Sequence, residues 1–470
     1  MERMTGLDAA FLAMESPAHP MHTLKLLVLE PIAPASVAFF DALEPALRAR
    51  LHLLPAFRRR VLEVPHGVHH PVWIEDLHFE LSAHLGRIAV PGPGAPAQVD
   101  AIVGELAGVP LDRARPLWAL WVLEGLQGGR VALLLKVHHA VADGLTVARL
   151  LDAVMTRVPS GEIAASSGEW SPDRVPSDRE LLRSALHDHL GQATRLPRLV
   201  QRTFRRLRAL ARERGSEARS PRPVLDAPCT SFNRALTEPR SFSRTSLPLA
   251  DVRAVKRAFG VTFNDVVLAL ASSALRQYLL EDGALPVRPL IASVPTSSEH
   301  KNAPLRRGGN HVSSLFVSLH THLIDPVERL HAIHRGALAA KEAQALLGAD
   351  LMEAWAAYVP PRALGRALRV WARSRLANHL PPPLNVIVAS VPGPIAPLFV
   401  PGHRLLEVAS VGPLLEGIGV NITAWSYLDA VFVGVLSARD LVREPQRLTA
   451  GMERALAELH ARIPIERTPR

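Results

Sequence analysis

The stretch KVHHAVADGL, from Lys136 to Leu145, places two adjacent histidines at the end of an apolar run. The run itself, VALLLKV, has the length and composition of a buried strand. Successive strand residues face opposite sides of a sheet, so the side chains of His138 and His139 are expected to diverge. Mixed α/β folds often place reacting groups at the carboxyl end of a strand. The stretch therefore predicts a mixed α/β fold with a functional histidine at a strand end.

Three roles are open for these histidines: metal ligands, core residues or a proton-transferring base. Side chains on opposite faces do not easily bind one ion, and no spacing joins them with the HGVHH run at His66 to His70 into a ligand set. One of the pair is expected to be structural, because one face of a central strand is buried. The other could be a general base, since an imidazole titrates near working pH. The sequence has no G-x-S-x-G elbow, which favours direct transfer from an acyl donor to an acceptor.

The residues after the pair fit the same hypothesis. Asp143 is close enough in sequence to hold the loop by pairing with an arginine, or to orient an imidazole. Gly144 permits a tight turn or the close approach of a substrate or another strand.

Length and composition restrict the class of protein. The chain has 470 residues, enough for two domains of about 200 residues each. The single cysteine, Cys229, excludes an internal disulfide and fits a reducing compartment. The net charge of +10 favours anionic partners such as phospholipid headgroups or a phosphorylated cofactor. Nucleic acid is not expected, because there is no zinc-finger spacing and few aromatic residues are available to stack bases.

The sequence also bears on location. The N-terminus lacks a signal-peptide pattern, and every apolar run is shorter than the ~18 residues of a membrane span. We therefore expect a cytoplasmic protein that is soluble or held on a membrane surface.

Composition divides the chain into three parts. Residues 1–160 mix short strands and helices, and include the apolar run LKLLVLE. Residues 161–228 form a linker that begins rich in Ser, Pro and Gly. Residues 229–470 form a second folded region with the strand-like runs RPLIASVP, VSSLFVSL, LNVIVASVP and DAVFVGVL. Two mixed α/β domains joined by a basic linker are therefore predicted.

The linker contains a basic amphipathic pattern from Arg195 to Arg222. Apolar residues recur at helical spacing with arginines between them: Leu196, Leu199, Val200, Phe204, Leu207 and Leu210. Two interpretations are open. The helix could be a membrane-surface anchor, or it could pack its apolar face on a domain and leave the arginines in water.

The second region contains a helix signal in GVTFNDVVLALASSALRQYLL. Thr262 or Asn264 can cap the helix, and Asp265 in the first turn suits the helix dipole. Apolar residues cover almost the whole circumference, which predicts a buried helix.

HHAVADG resembles the HHxxxDG motif of the coenzyme A-dependent acyltransferase superfamily, which includes peptide-synthetase condensation domains. The whole chain resembles the bacterial wax ester synthase/diacylglycerol acyltransferase family. The blocks that carry this resemblance run from end to end: LDAAFLAMESPAHPMH, PVWIEDLHFELSAHL, LDRARPLWALWVLEGL, TFNDVVLA, GGNHVSSLFVSL, DPVERL, VPGP and GVNITAWSY.

The resemblance implies two chloramphenicol-acetyltransferase-like domains with a substrate channel at their interface. It implies acyl-coenzyme A as co-substrate, a fatty alcohol or diacylglycerol as acceptor, and no permanently bound cofactor or metal. By match to the motif, His139 would be the base, His138 its support, and Asp143 with Gly144 the loop. The other matched positions would line or support the channel: Asn264 and Asp265 of the Asn-Asp pair, and Pro116, Leu117 and Trp118. A membrane or lipid-inclusion surface on the cytoplasmic side would suit such substrates.

Two positions depart from the family pattern. Ser390 stands where asparagine is usual in a SNVPGP-like stretch, and Glu299 stands where arginine is usual. These departures put substrate preference in doubt. Two rival functions remain open: a condensation-type enzyme that acylates other alcohols or amines, and a catalytically silent lipid-surface scaffold.

Overall fold

The computed structural model of the chain describes residues 1–31, 36–159, 172–214, 227–297, 310, 312–348 and 350–464. Helices and strands are interspersed along the chain, as the mixed α/β prediction requires. The first half contains β1 (Glu2–Arg3), α1 (Gly6–Met14), β2 (His22–Leu29), α2 (Ser36–Arg48), β3 (Arg59–Leu62), β4 (Val72–Glu75), β5 (Leu85–Ala89), α3 (Pro96–Gly108), β6 (Trp118–Glu124), β7 (Val131–His138), α4 (Gly144–Val154) and α5 (Asp178–Arg214).

The second half of the chain begins with β8. It contains β8 (Arg240–Pro248), α6 (Leu249–Ala258), α7 (Phe263–Glu281), β9 (Ile291–Ser297), β10 (Val312–Ser318), α8 (Pro326–Leu347), α9 (Leu351–Ala356), α10 (Pro361–Arg373), β11 (Val386–Val391), β12 (Phe399–Val400), β13 (His403–Val411), β14 (Val420–Tyr427), β15 (Ala430–Ala438) and α11 (Gln446–Ala461). The predicted α/β class is confirmed.

The first large sheet has the strand order β12-β13-β2-β7-β6-β5 and is mixed, since only β5 and β6 run parallel. Its central strands, β2 and β7, pair antiparallel with Thr23 opposite Val137. Both strands are buried along their whole length. Alternate residues pack against α1, α2 and α4 on one face and against α3 on the other, which explains why their sequences read as continuous apolar runs.

The second large sheet has the order β10-β9-β11-β14-β15-β8 and is also mixed, with β11 parallel to both neighbours. The buried helix α7 packs on this sheet, as its apolar circumference predicts. Thr262, not Asn264, is the N-cap: its side chain accepts from the Asp265 amide, and Asp265 completes a capping box. Among the described residues no single helix is long and apolar enough to span a bilayer, and only α6 and α7 taken together, bent by 103°, meet those limits.

The two halves of the chain exchange strands. Strands β12 and β13 come from the second half but extend the first sheet, with Val411 opposite Leu24 of β2. The predicted division at residues 160 and 228 does not contain this crossover, because local composition carries no information about pairing between distant strands. The division itself stays a prediction.

The basic helix is longer than the sequence predicts. Helix α5 begins at Asp178, not near Arg195, and residues beyond Arg214 in the predicted helix lie outside the described part. Ser177 and Glu180 bond reciprocally at its start, which forms a capping box. Leu181 then packs on the small sheet of β1, β4 and β3, and the helix continues through Pro197.

Candidate functional site

The histidine pair lies at the end of β7, where both neighbouring segments bind its backbone. The amide of His138 donates to the carbonyl of Leu117 at 3.0 Å, and the amide of His139 donates to that of Met21 at 2.7 Å. His138 is fully buried, whereas His139 is half-buried. One histidine is therefore a core residue and the other is accessible, as the strand-end hypothesis requires.

The environment of His138 determines its tautomer. Its Nδ1 accepts the Ala140 amide at 3.0 Å, so the ring hydrogen is on Nε2. That Nε2 lies 3.5 Å from Oε1 of Glu15, and Nε2 of His22 lies 3.2 Å from the same oxygen. Burial lowers the pKa of both His22 and His138, so the two rings are neutral at pH 7.

Glu15 is the ionised partner beneath the pair. Arg113 donates to its Oε2 through Nε and a terminal nitrogen, at 2.9 and 2.8 Å. Burial by itself raises the pKa of Glu15, but the contact with His138 and the positive charge of Arg113 lower it to about 2. A carboxylate thus anchors the buried histidine from below.

Glu15, His22 and His138 bring three potential ligand atoms together, an arrangement that sequence spacing did not indicate. The tautomer argues against an ion there, because the protonated Nε2 of His138 has no lone pair to offer. The absence of a metal stays a prediction.

His139 faces α1 and one residue from the second half. The ring of Phe11 lies 4.4 Å from its ring, centroid to centroid. Its Nδ1 is 3.1 Å from Oδ1 of Asn310, whose amide nitrogen donates to Asp8 Oδ1 at 2.7 Å. Burial lowers the pKa of His139 to about 4, against the opposing charge of Asp143, so the imidazole is neutral at physiological pH.

The rest of the motif forms the start of α4. Asp143 is its N-cap and accepts the Thr146 amide at 2.7 Å, so it holds the loop by capping. A Cβ on Gly144 would lie 3.6 Å from Val391 of β11, an ordinary contact. Neither the space around Gly144 nor its backbone conformation, which is not left-handed, therefore requires glycine at this position.

The predicted Pro116, Leu117 and Trp118 are all buried. Leu117 binds the His138 amide through its carbonyl. Trp118 donates to the Phe57 carbonyl at 2.8 Å and stacks on His84 at 4.5 Å between centroids. It is a core residue that also lines an apolar cavity beneath α2 and α4.

The Asn-Asp pair divides into two roles. Asp265 is buried and accepts from Thr262, and its Oδ2 also lies 2.7 Å from His334 Nδ1. Asn264 accepts the Ser390 hydroxyl through Oδ1 at 2.9 Å. Ser390 precedes Val391, the neighbour of Gly144, so Asn264 and Ser390 lie near the motif loop. The other departure, Glu299, lies outside the described residues.

Sequence reasoning missed four residues: Asp8, Phe11, Glu15 and Asn310. Asp8 and Phe11 are spaced i and i+3 on α1, which was available as a signal for a shared face, and Glu15 follows directly after the helix as its C-cap. Nothing in the local sequence around Asn310 indicates its contact with His139, 171 residues earlier.

Comparisons with known proteins cover nearly the whole chain. The family model described as wax ester synthase/diacylglycerol acyltransferase catalytic domain matches residues 4–267, and the WS/DGAT C-terminal domain matches residues 308–460. A Mycobacterium tuberculosis protein that carries the name diacylglycerol O-acyltransferase is 38% identical over 96% of this chain and 94% of its own length. A second protein of that name from the same organism is 36% identical over 100% of this chain and 99% of its own length.

Solved structures agree with the fold. The wax ester synthase/diacylglycerol acyltransferase of Marinobacter aquaeolei VT8 superposes with a TM-score of 0.67 at 26% identity, covering 98% of this chain and 100% of that one. The first condensation domain of the calcium-dependent antibiotic synthetase superposes with a TM-score of 0.58 at 17% identity, covering 98% and 97%. The latter likeness concerns the fold alone.

Proposed function

The chain belongs to the wax ester synthase/diacylglycerol acyltransferase family, and from that membership we propose that His139 is the general base of its reaction. The resemblance drawn from HHAVADG and its flanks is thereby confirmed. The chain is an O-acyltransferase that uses acyl-coenzyme A and forms triacylglycerol or wax ester.

The observation that carries the role of His139 is its position. It is the accessible member of the pair, neutral, at the end of β7 where a residue of the second half reaches it. His138 is buried with its ring hydrogen toward Glu15, so it supports the strand end and does not meet substrate.

The proposed reaction passes through a ternary complex without a covalent intermediate. The imidazole takes the hydroxyl proton of the acceptor as its oxygen attacks the thioester carbonyl. The carbon–sulfur bond then breaks, and the imidazolium returns the proton to the departing coenzyme A thiolate. General base catalysis contributes about 10²–10⁴-fold, and orientation of the two substrates supplies much of the rest.

The test is ester formation from labelled palmitoyl-coenzyme A with hexadecanol, diacylglycerol or a long-chain amine as acceptor. We expect label in wax ester or triacylglycerol, reduced by at least about 10²-fold in His139→Ala. The exposed His379 provides a matched control, because its replacement by alanine should leave turnover unchanged. Near wild-type turnover in a folded His139→Ala variant would refute the assignment, and label found only in amide would favour condensation-type chemistry.

We further propose that the protein binds a membrane or lipid-inclusion surface on the cytoplasmic side through α5. The helix buries Leu199 and Leu210 but exposes Phe204 by 61% and Leu207 by 47%. A helix that exposes apolar side chains between arginines has the composition of an interfacial helix. Burial of Leu199 and Leu210 supports packing of one face of α5 on the protein, and the membrane proposal concerns the face that carries Phe204 and Leu207.

Co-sedimentation with anionic liposomes tests this surface. The double variant Phe204→Ser, Leu207→Ser should bind several-fold more weakly, and wild-type binding should weaken as salt screens the arginines. Val287→Ser is the control, since Val287 is 93% exposed on a loop outside α5. Equal sedimentation of all three proteins would remove the proposal.

A further inference from the structure

The orientation of the Asn310 side chain follows from its neighbours. One group of this amide lies 2.7 Å from Asp8 Oδ1 and 2.5 Å from the backbone carbonyl of His139, and both of those atoms only accept hydrogen bonds. That group must therefore be the NH₂. The carbonyl Oδ1 then faces His139 Nδ1 at 3.1 Å, and since an amide oxygen cannot donate, Nδ1 must carry the ring hydrogen.

The contacts around Asn310 fix it firmly. The residue is fully buried, and its backbone amide also donates to Asp8 Oδ1, at 3.1 Å. One carboxylate oxygen thus holds both the main chain and the side chain of Asn310. The ring of His139 also packs against Phe11, which belongs to the same helix as Asp8.

We propose that Asn310 is a positioning residue that sets the tautomer of His139, and that Asp8 holds it for that purpose. With the hydrogen on Nδ1, the lone pair is on Nε2, the only ring atom left to accept a substrate proton. As Nε2 gains that proton, the Nδ1–H···O bond strengthens, because the ring becomes positive. This inference rests on the proposed role of His139 as base.

The partner is a neutral amide and comes from the other half of the chain. A neutral acceptor orients the ring without the full charge that a carboxylate would add, so the imidazolium gives its proton up readily. Asp8 and Asn310 are 302 residues apart, so the proposed tautomer depends on packing between the two halves of the chain.

The first test requires only the wild-type protein. Nitrogen-15 NMR of histidine-labelled protein, with the His139 signals assigned by their loss in His139→Ala, reports which ring nitrogen is protonated. We expect the Nδ1–H tautomer. The Nε2–H tautomer at neutral pH would overturn the inference whatever the variants do.

The second test is the near-isosteric variant Asn310→Leu, which keeps the side-chain volume and removes the hydrogen bond. We expect kcat to fall roughly 10²-fold with KM little changed, together with a shift of the His139 signals toward the Nε2–H form. Unchanged kcat and unchanged tautomer in this variant would refute the role of Asn310. Activity retained in His139→Ala would instead refute the base assignment, so the two failures are distinguishable.

Asp8→Asn provides a second variant if Asn310→Leu does not fold. It keeps the shape of residue 8 but replaces an acceptor oxygen pair by an amide, so Asn310 loses part of its anchor. We expect a kcat loss of about 10-fold with a mixture of tautomers. Wild-type kcat and a single Nδ1–H tautomer would show that Asp8 has no positioning role.

Discussion

Replacement of Lys25 by methionine should change stability in opposite directions at two pH values. Lys25 is 1% exposed in the middle of β2, and its ammonium donates to Thr23 and Ser410 hydroxyls at 2.6 Å each. It also lies 5.6 Å from the ring centroid of Trp425. Burial lowers the pKa of Lys25 from 10.5 to about 7, against the opposing charge of Asp143.

The magnitude follows from this pKa difference. The folded state has the lower pKa, so between pH 7 and 10.5 the unfolded chain binds more protons and stability rises with pH. The burial penalty is about 4 kcal/mol at pH 7 and about 1 kcal/mol near pH 9.5. Methionine has a similar shape and removes this penalty, but it loses two hydrogen bonds worth about 1 kcal/mol each. Lys25→Met should therefore be about 2 kcal/mol more stable at pH 7 and about 1 kcal/mol less stable near pH 9.5.

Urea unfolding of both proteins at the two pH values, followed by circular dichroism, measures this change. A stability difference that does not depend on pH would show that Lys25 does not titrate with a lowered pKa. A methionine variant less stable than the wild type at pH 7 would show that the hydrogen bonds outweigh desolvation. Either result would refute the reasoning.

Three further predictions concern the pH profile and packing. Because burial lowers the pKa of His139 to about 4, kcat/KM should stay level from pH 7 to about pH 5 and fall by half near pH 4, and an acid limb near pH 6.5 would contradict this. Glu15→Gln should lower the free energy of unfolding by about 1–3 kcal/mol in urea, since Arg113 loses its charged partner, and an unchanged midpoint would contradict the anchoring role. Gly6→Ala should lower the free energy of unfolding by about 1–3 kcal/mol, because the new Cβ would lie 2.2 Å from the backbone of Ala356. In Gly191→Ala, within α5, the new Cβ meets nothing within 4 Å, so this variant should raise the free energy of unfolding by roughly 0.5–1 kcal/mol in the same assay.

Local sequence predicted the elements that local physics controls. Apolar runs became the buried strands β2, β7 and β15, because a strand covered on both faces must be apolar throughout. Thr262 and Asp265 predicted the start of α7, since a capping box provides hydrogen-bond partners for helix-end amides within four residues. The motif at His138 and His139 identified the strand end.

Local patterns did not predict features that depend on contacts with segments distant in sequence. Helix α5 begins earlier than predicted because Leu181 packs on a sheet formed by the N-terminal strands. The lysine in LKLLVLE would be expected at a surface, but β2 lies between β13 and β7 and is buried along its whole length. Its burial could not be read from a run of seven residues.

The amino-acid sequence by itself determined the family, the α/β class and which pair of histidines matters, because these depend on residue types at fixed short spacings. Only the tertiary structure decided which histidine is accessible and what holds it. Phe11 and Asn310 contact His139, and Asp8 binds Asn310, across separations that no periodicity encodes. They meet because strand pairing and helix packing bring the two halves of the chain together. Contacts between residues so distant in sequence are a property of the whole fold.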